Sequence, residues 1–294
     1  MINLFKRPWL FFLLSAVVLV PGIFSLVRFG LLPSIDFTGG TVLEISYAGE
    51  PELTMEKLTE IWGESYPVVS AQKTGPGQVL IKSPFMSSDQ EQAALETLRT
   101  QYESVDQLRF ETIGPTLSKE LLMKTITAVI LVSVIIMSYV WYRFHELKDG
   151  VTAILAMFHD SLILLGSFSL LGHFAHIEVD TLFVTAVLTT LSFSVHDTIV
   201  VFDRIRELRP KFRRVPFQTI ANTAVLETLS RSINNSITII MMLLALYLLG
   251  GDSIRNFALA LLIGAVTGSY SSPFTAVPLL LIWDKIADLR KKRR

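Results

Sequence analysis

The sequence predicts an α-helical polytopic membrane protein, with six transmembrane helices and a small α+β domain between the first two. Three observations support this class. Hydrophobic residues make up 51% of the 294 positions. Several uncharged runs are long enough to cross about 30 Å of hydrocarbon as helices, and residues 43–110 have the mixed composition of a soluble domain. We expect spans at residues 9–27, 125–142, 151–171, 181–202, 232–251 and 256–283.

The first span follows Lys6 and Arg7 and therefore begins as a signal peptide would. Its uncharged run, residues 9–27, is longer than the roughly 7–15 residues of a signal-peptide core. No small-residue cleavage motif follows it. We therefore expect residues 1–30 to form an uncleaved transmembrane segment.

The segment between the first and second spans, residues 31–118 with its linkers, has the pattern of a soluble domain. Alternating apolar residues and the turn signal at 75–77 predict strands and two helices in the order β-α-β-β-α-β. That order is the ferredoxin-like arrangement, which does not specify a function by itself. The segment has no metal-ligand cluster or phosphate loop, so we expect it to bind or move. Expected strands are at 42–47, 67–73, 78–82 and 105–110, and expected helices at 53–65 and 88–103.

Basic residues are distributed unevenly among the loops and predict the orientation of the chain. The loop at residues 173–180 has no Lys or Arg. Short loops rich in Lys and Arg stay in the cytoplasm. We therefore expect both termini in the cytoplasm and the soluble domain on the opposite, extracytoplasmic side. The basic positions that mark the cytoplasmic side are Lys6, Arg7, Arg143, His145, Lys148, Arg204, Arg206, Arg209, Lys211, Arg213, Arg214 and residues 290–294, whereas the turn between the fifth and sixth spans has only Arg255.

The remaining five spans are expected to form a helix bundle over residues 119–284. This bundle would include a basic cytoplasmic loop at 203–230, and a basic cytoplasmic tail at 285–294 would follow it. Within the loop, residues 215–230 have the pattern of an amphipathic helix lying at the membrane interface.

The sixth span carries two features that bear on packing. Its length and Pro273 predict a helix that is tilted or broken near that residue. Gly264 and Gly268 form a small-xxx-small pattern, in which the missing side chains let another helix approach closely. Ser271 and Ser272, beside the proline, either line a polar interior or relieve the kink.

The fourth span contains two ionisable residues, His196 and Asp197, inside an apolar run. An ionisable side chain at membrane depth costs roughly 2.5–3.5 kcal/mol and normally faces the bundle interior or a water-filled path. Thr190, Ser194 and Asp197 are spaced i, i+4, i+7 and therefore share one helix face. Two interpretations stay open: a polar face that holds helices together, or a carboxylate that titrates in a transport or energy-coupling path.

Two further spans carry polar groups at membrane depth. The third contains His159 and Asp160, and in the fifth Arg231, Asn234 and Asn235 share one face. An Arg near the end of a span often extends to the interface, but opposite a buried Asp it gains a partner. Pairing favours the charged carboxylate and separation favours the neutral one, so the group can load and release a proton. The proton-coupling candidates are Asp197, Arg231, His196, Asp160, Asn234 and Asn235.

Catalysis is not expected from this sequence. Without cysteine, the chain has no disulfide, thiolate metal site or Cys nucleophile. Each His-Asp pair consists of adjacent residues, which point about 100° apart on a helix and cannot form one metal site or triad unaided. The formal net charge is zero, so no overall field suggests a nucleic-acid partner. We expect no enzyme activity, no cofactor and no bound metal.

Five segments match motifs that occur together in one family. SVHDTIVVFDRIRE at 194–207 is similar to S-x-N-D-T-[IV]-V-V-F-D-R-I-R-E, and departs from it at His196, where Asn is usual. The other four are IDFTGGT at 35–41, FHD at 158–160, LSRSINNSIT at 229–238 and GGDSIRNFALALLIGAVTGSYSSPF at 250–274. The chain thus resembles, over essentially its whole length, SecF, a subunit of the SecD–SecF accessory complex of bacterial protein export.

The resemblance implies a six-helix RND-superfamily fold and a location in the bacterial inner membrane. It implies partnership with SecD, with the SecYEG channel and with a YajC-like subunit, in contact with membrane lipid and exported unfolded polypeptides. It also implies use of protons from the transmembrane gradient to promote late translocation and release. In the family, the residues that match Asp197 and Arg231 are implicated in proton conduction, and the role of His196 stays open.

Two other functions stay open. The chain could be half of an RND-like exporter of small molecules or lipids, which a large docking domain or a substrate-lined cleft would favour. It could instead be an assembly scaffold, which would need no titrating Asp.

Overall fold

The computed structural model describes residues 4–49, 51–144, 146–212 and 214–292. The chain divides into two compact units. The helical unit comprises Met1–Leu32 and Ala128–Arg294, and the soluble unit comprises Pro33–Thr127. These boundaries differ from the predicted 31–118, because the helix that follows the last strand begins at Pro115 and continues across the predicted boundary.

The elements follow one another along the chain without long irregular connections. In chain order they are α1 (Trp9–Arg28), α2 (Ile35–Thr38), β1 (Gly40–Ala48), α3 (Met55–Trp62), β2 (Ser70–Gly75), β3 (Gln78–Ser83), α4 (Ser88–Arg99), β4 (Ser104–Ile113), α5 (Pro115–Arg143), α6 (Leu147–Ala175), α7 (Thr181–Leu208), α8 (Phe217–Leu249), α9 (Asp252–Ser271) and α10 (Val277–Lys292).

Among the described residues, six helices are long and apolar enough to cross a membrane, as the sequence predicts. They are α1, α5, α6, α7, α8 and the combined stretch of α9 and α10. Each of these helices contains an apolar stretch of 18 residues. Half of this stretch is buried within this chain in α6, in α7 and in the combined α9–α10 stretch. The buried share is 11% in α8 and zero in α5. Within this chain, α6, α7 and α9–α10 therefore form the centre of the helical unit.

The prediction of an interfacial helix at 215–230 is wrong. This segment forms the first turns of α8, a continuous helix of 33 residues. Its apolar side, including Ile220, Ala224 and Val225, is buried in the core of the helical unit. Because that side packs on protein, it is not free to lie on a lipid surface.

The predicted basic loop at 203–230 is correspondingly shorter. Residues 203–208 belong to the end of α7, and α8 begins at Phe217. The connection is therefore limited to residues 209–216, of which Arg213 lies outside the described residues. His145, predicted to belong to the basic loop after the second span, also lies outside them.

The sixth span is broken near Pro273, as predicted. A five-residue π-helical turn, Ser272–Ala276, separates α9 from α10. Proline has no N–H and its ring clashes with the preceding turn, so the α-helical hydrogen-bond ladder cannot continue through it. The predicted separate tail at 285–294 begins as helix, because α10 runs to Lys292. The last two basic residues, Arg293 and Arg294, lie outside the described residues.

The soluble unit is built around a four-stranded antiparallel sheet of order β2-β3-β1-β4. Alternate residues of the strands, such as Ile45 on β1 and Ile81 on β3, point to one face. There they form a core with Leu58 of α3 and Leu98 of α4. The two helices begin at hydrogen-bonded caps: Thr54 caps α3, and Ser87 forms a capping box at the start of α4.

Candidate functional site

Asp160, in the middle of α6, lies at the centre of a hydrogen-bond cluster inside the helical unit. Its side chain is 1% exposed. Its Oδ2 atom accepts hydrogen bonds from Ser194 Oγ on α7 and from Ser271 Oγ on α9, each at 2.6 Å. One carboxylate therefore joins three helices, and the two hydroxyl donors replace the water that a buried carboxylate loses.

His159 is hydrogen-bonded to the same carboxylate, with 2.9 Å between His159 Nδ1 and Asp160 Oδ1. Adjacent residues leave a helix about 100° apart, but the long imidazole of His159 reaches across the divergence of the two Cα–Cβ bonds. The imidazole is 8% exposed and its Nε2 has no hydrogen-bond partner. In the described part of the chain, no group of three or more His, Cys, Asp or Glu residues is placed to hold a metal ion.

The polar face predicted on α7 lies in the interior. Thr190, Ser194 and Asp197 are each at most 4% exposed. Unlike Asp160, Asp197 has a carboxylate oxygen, Oδ2, without a hydrogen-bond partner, and Thr190 Oγ1 has none either. A buried polar atom left unpaired is uncommon in a native protein and indicates strain, function or an unseen partner.

Arg231 does not reach Asp197 in this structure. No hydrogen bond or ion pair joins the two side chains, both of which lie in the described part of the chain. Arg231 instead lines a cleft of about 620 Å³ at the α7–α8 contact. Two ion pairs, Arg204–Glu207 and Arg204–Glu227, lie in the lining of this cleft.

Three more of the predicted proton-coupling residues lie on exposed surface. His196 is exposed although the neighbouring Asp197 is buried. Asn234 and Asn235 are exposed together with Arg231, which makes a polar face on α8. Such a face on a membrane-spanning helix requires a protein partner or a water-filled path, because lipid offers no hydrogen bonds.

The two glycines of the sixth span lie where α9 meets α7. A Cβ atom on Gly264 would overlap the Thr190 side chain, and one on Gly268 would lie 3.2 Å from the Phe193 ring and 3.5 Å from Ser194 Cα. The close approach lets Ser271, on the next turn of α9, reach Asp160. Glycine at these two positions thus helps to position the hydroxyl donor of the Asp160 cluster.

A second close approach, between α1 and α6, is not evident from the sequence. A Cβ on Gly166 would lie 2.6 Å from Gly22 Cα. Ser25 Oγ and Ser169 Oγ, three residues farther along each helix, are 2.7 Å apart and hydrogen-bonded. The small-xx-small spacing is present in both helices, but each pattern is weak until the other helix is known to face it.

An ion-pair cluster between α5, α6 and α7 is likewise not evident from the sequence. Asp203 on α7 pairs with Arg143 at the end of α5. Arg206, one turn later, pairs with Asp149 at the start of α6, with 3.3 Å between Nε and Oδ2, and with Asp203. The charged end of the 194–207 segment thus holds three helices together at one end of the helical unit.

These features define a multi-pass helical membrane protein with a small α+β unit and with two buried carboxylates at membrane depth. The family model described as protein export membrane protein SecD/SecF, C-terminal, matches residues 93–286. The chain therefore belongs to the SecD/SecF family of protein export membrane proteins. The resemblance to SecF is confirmed by relatives that match along the whole chain.

Two of these relatives are named protein translocase subunit SecF. The one from Thermobaculum terrenum is 40% identical, over 100% of this chain and 98% of its own length. The one from Anaerolinea thermophila is 36% identical, over 97% of this chain and 94% of its own length.

Solved structures of SecDF are also similar to this chain. The crystal structure of SecDF from Thermus thermophilus, described as a translocon-associated membrane protein, superposes with a TM-score of 0.80 at 31% identity. A SecDF structure in a super-membrane-facing form superposes with a TM-score of 0.65 at 30% identity. The alignments cover 95% and 98% of this chain but only 38% and 39% of the SecDF chains. This chain therefore corresponds to less than half of a SecDF protein.

Proposed function

We propose that this chain is a SecF-type subunit of the protein translocase and that it couples proton movement to protein export. The observation that carries the coupling is Asp197, which is 4% exposed at membrane depth and keeps one carboxylate oxygen without a hydrogen-bond partner. A permanent structural charge would be expected to have its oxygens paired, as those of Asp160 are.

The coupling follows from the cost of burying Asp197. In apolar surroundings the carboxyl group must be neutralised by a proton or held near a positive charge. Arg231, which lines the cleft beside α7, is the nearest candidate for that charge on α8. A charge that crosses the membrane gains about 2.3 kcal/mol per 100 mV. Each change of protonation at Asp197 would favour a different arrangement of α7 against α8.

The proposed partner is SecD. The exposed polar face formed by Arg231, Asn234 and Asn235 supports this, because lipid cannot satisfy it. The alignment of this chain to a minor part of SecDF supports it too, since the remainder of such a chain has no counterpart here. We extend the proposal to association with SecYEG and a YajC-like subunit, and to late translocation and release of exported unfolded polypeptides.

The proposed location is the bacterial inner membrane, with both termini in the cytoplasm. The soluble unit would be an extracytoplasmic ferredoxin-like domain, which its strand order β2-β3-β1-β4 supports. The relatives are named as subunits of a translocase, and we propose no enzyme activity and no cofactor for this chain.

The test replaces Asp197 by Asn, which keeps the shape and removes the titration. We expect Asp197→Asn to insert, fold and bind SecD, yet to lose gradient-stimulated export, measured in cells at matched membrane levels. Arg231→Met should lose the same activity, and the double variant should be little worse than either single one, because the two residues act as one unit. Asp160→Asn should do less damage to export than Asp197→Asn.

The matched control is Thr189→Val on the same helix. Thr189 is exposed, and its hydroxyl bonds only to the carbonyl of its own helix. We expect this variant to export normally. Full gradient-stimulated export by Asp197→Asn would refute the coupling and favour a scaffold, since a neutral isostere leaves a scaffold working.

A further inference from the structure

The His159–Asp160 pair, defined here as the dyad, has a hydrogen-bonding arrangement that leaves one position open to a proton. An ionised carboxylate only accepts hydrogen bonds, and Asp160 accepts from two serine hydroxyls at Oδ2. In its ionised state Asp160 can only accept at Oδ1 as well, so the hydrogen of the 2.9 Å contact there is then the Nδ1–H of His159. In the neutral imidazole the remaining nitrogen, Nε2, is then an acceptor, and it is buried without a partner.

The charge balance of the dyad follows from this arrangement. With a neutral imidazole and an ionised carboxylate, the dyad carries one negative charge. Addition of one proton at His159 Nε2 makes an imidazolium beside the carboxylate, and the dyad becomes neutral overall. Burial of a net charge is costly, so the form without net charge needs no compensating cation nearby.

The dyad lies beside the break in the sixth span. Ser271, which donates to Asp160, is the last residue of α9, and the π-turn Ser272–Ala276 follows it directly. The hydroxyl of the next residue, Ser272, is hydrogen-bonded to α7, with 3.0 Å between Ser272 Oγ and Thr198 Oγ1. Hydrogen bonds made by the hydroxyls of two consecutive serines, Ser271 and Ser272, thus attach the break in the sixth span to α6 and α7. Turns of π-helix inside α-helices are frequent at functional sites.

We propose that the dyad is a second proton-binding site, which takes up its proton at His159 Nε2 and thereby loosens the attachment of the broken sixth span. The two serine hydroxyls make charge-assisted hydrogen bonds to an ionised carboxylate, and such bonds are about twice as strong as neutral ones. Once an imidazolium draws the negative charge towards Oδ1, the bonds at Oδ2 weaken. The angle between α9 and α10 is then less constrained.

Few other ionisable groups face this site. From α7 there is Asp197, which follows Ser194 by three residues; its neighbour His196 is exposed. Tyr270 on α9 donates its hydroxyl to Phe11 O on α1, and the apolar run of α1 itself, residues 9–27, has no ionisable residue. Other ionisable residues of α6, α7, α8 and α10 lie towards the helix ends, where Lys148 pairs with Asp284 and Arg206 with Asp149; Arg231 lines its own cleft.

The inference rests on the proposed proton coupling, but a distance measurement tests it independently of export. The chain has no cysteine, so two nitroxide labels can be attached at Phe212→Cys and Leu289→Cys, which replace exposed residues after α7 and on α10. The labelled chain, with its SecD partner in lipid nanodiscs, is measured by electron paramagnetic resonance from about pH 5 to about pH 9. We expect two distance populations whose ratio changes by up to about tenfold per pH unit.

Variants of the dyad should remove this pH dependence. The His159→Gln side chain cannot take up a proton. Asp160→Asn keeps an oxygen that accepts hydrogen bonds from both serines. Each of these variants should therefore show a single distance population at every pH. Ser271→Ala should favour the loosened population throughout. The matched control is Ser269→Ala on the same helix, because Ser269 bonds to Ser236 and not to the dyad. It should titrate as the wild type does.

The results separate the two proposals. A pH-dependent distance change that survives in His159→Gln and in Asp160→Asn would overturn the inference, as would its absence from the wild type. A change abolished by Asp197→Asn and kept by His159→Gln would assign the titration to Asp197 instead. If Asp197→Asn exports normally while the dyad variants lose the distance change, the proposed role of Asp197 fails and the dyad stands.

Discussion

Glycine residues determine how closely the helices of this protein approach. The Gly22–Gly166 contact joins α1 to α6 through backbone atoms, and the Gly264 and Gly268 contacts join α9 to α7. In a membrane, helix association gains little from the hydrophobic effect, so van der Waals packing and hydrogen bonds must supply it. The Ser25–Ser169 hydrogen bond, near the Gly22–Gly166 contact, depends on this spacing.

We expect Gly166→Ala to destabilise the packing of α1 on α6. The added Cβ would lie 2.6 Å from Gly22 Cα, which is a backbone atom and cannot rotate away. Overpacking of this kind typically costs about 1–3 kcal/mol. Thermal unfolding of the purified protein in nanodiscs measures the loss.

Gly22→Ala and Gly251→Ala are the comparison variants. The Cβ at position 22 would lie 3.1 Å from Gly166 Cα, and the one at 251 has no atom within 4 Å. The order of destabilisation should be Gly166, then Gly22, then Gly251. Equal unfolding temperatures for the three variants would show that the helices are not in close contact.

Strand β3 places a lysine, Lys82, where burial disfavours its charged amine. Val79 and Ile81 point to the core, so Lys82 points to the opposite face of the sheet. There, burial lowers the pKa of Lys82 to about 8, with a smaller contribution from Arg109. The charged amine therefore destabilises the soluble unit at neutral pH.

This pKa predicts how the stability of the soluble unit depends on pH. Between about pH 8 and the ordinary lysine pKa of about 10.4, the unfolded chain binds more protons at Lys82 than the folded one does. Stability should therefore rise with pH across this window and level off above it. Hydrogen exchange of peptides from residues 40–113 in the full-length protein, corrected for the intrinsic rate at each pH, measures it.

Lys82→Met should raise the stability of the soluble unit at pH 7. It should also remove the increase of that stability with pH. Lys73→Met is the control on the neighbouring strand. Lys73 is exposed and pairs with Glu52, so its replacement should bring no stabilisation. A rise of the same size in Lys82→Met would assign the pH dependence to another group.

Across the entire chain, charge is concentrated at one end of the helical unit. The pairs of Arg143 with Asp203 and of Arg206 with Asp149 join the end of α5, the start of α6 and the end of α7. Lys148 extends the group through its pair with Asp284 on α10. Loops and helix ends rich in Lys and Arg stay on the cytoplasmic side, so this end should face the cytoplasm.

Single-cysteine labelling tests this orientation. Val69→Cys places a thiol on the exposed surface of the soluble unit, and Lys211→Cys places one in the connection between α7 and α8. A membrane-impermeant maleimide should label position 69 in cells whose inner membrane is intact. Position 211 should react only after that membrane is permeabilised, and the reverse pattern would contradict the topology. The native chain, without cysteine, provides the blank.

Composition and local spacing were sufficient to predict the six apolar helices, the order of strands and helices in the soluble unit, and the break near Pro273. Each of these depends on residues within one element: an uncharged run, an alternation of apolar side chains, or a proline that cannot donate a hydrogen bond. The burial of Thr190, Ser194 and Asp197 also followed from their spacing on one helix. The mistaken interfacial helix at 215–230 shows the limit of this reasoning, since its amphipathic pattern suits a lipid surface and a protein core equally well.

The partners of the buried carboxylates were decided by the packing of distant helices. Asp160 meets Ser194 and Ser271, which are 34 and 111 positions away in the chain. No local pattern specifies such a meeting, because it depends on how closely α9 approaches α7. The sequence makes Arg231 a candidate partner of Asp197, yet the packing leaves Asp197 Oδ2 buried without a hydrogen-bond partner and Arg231 in the lining of a cleft. A helix face can be read from spacing alone, whereas the residues opposite it are set by how the helices pack.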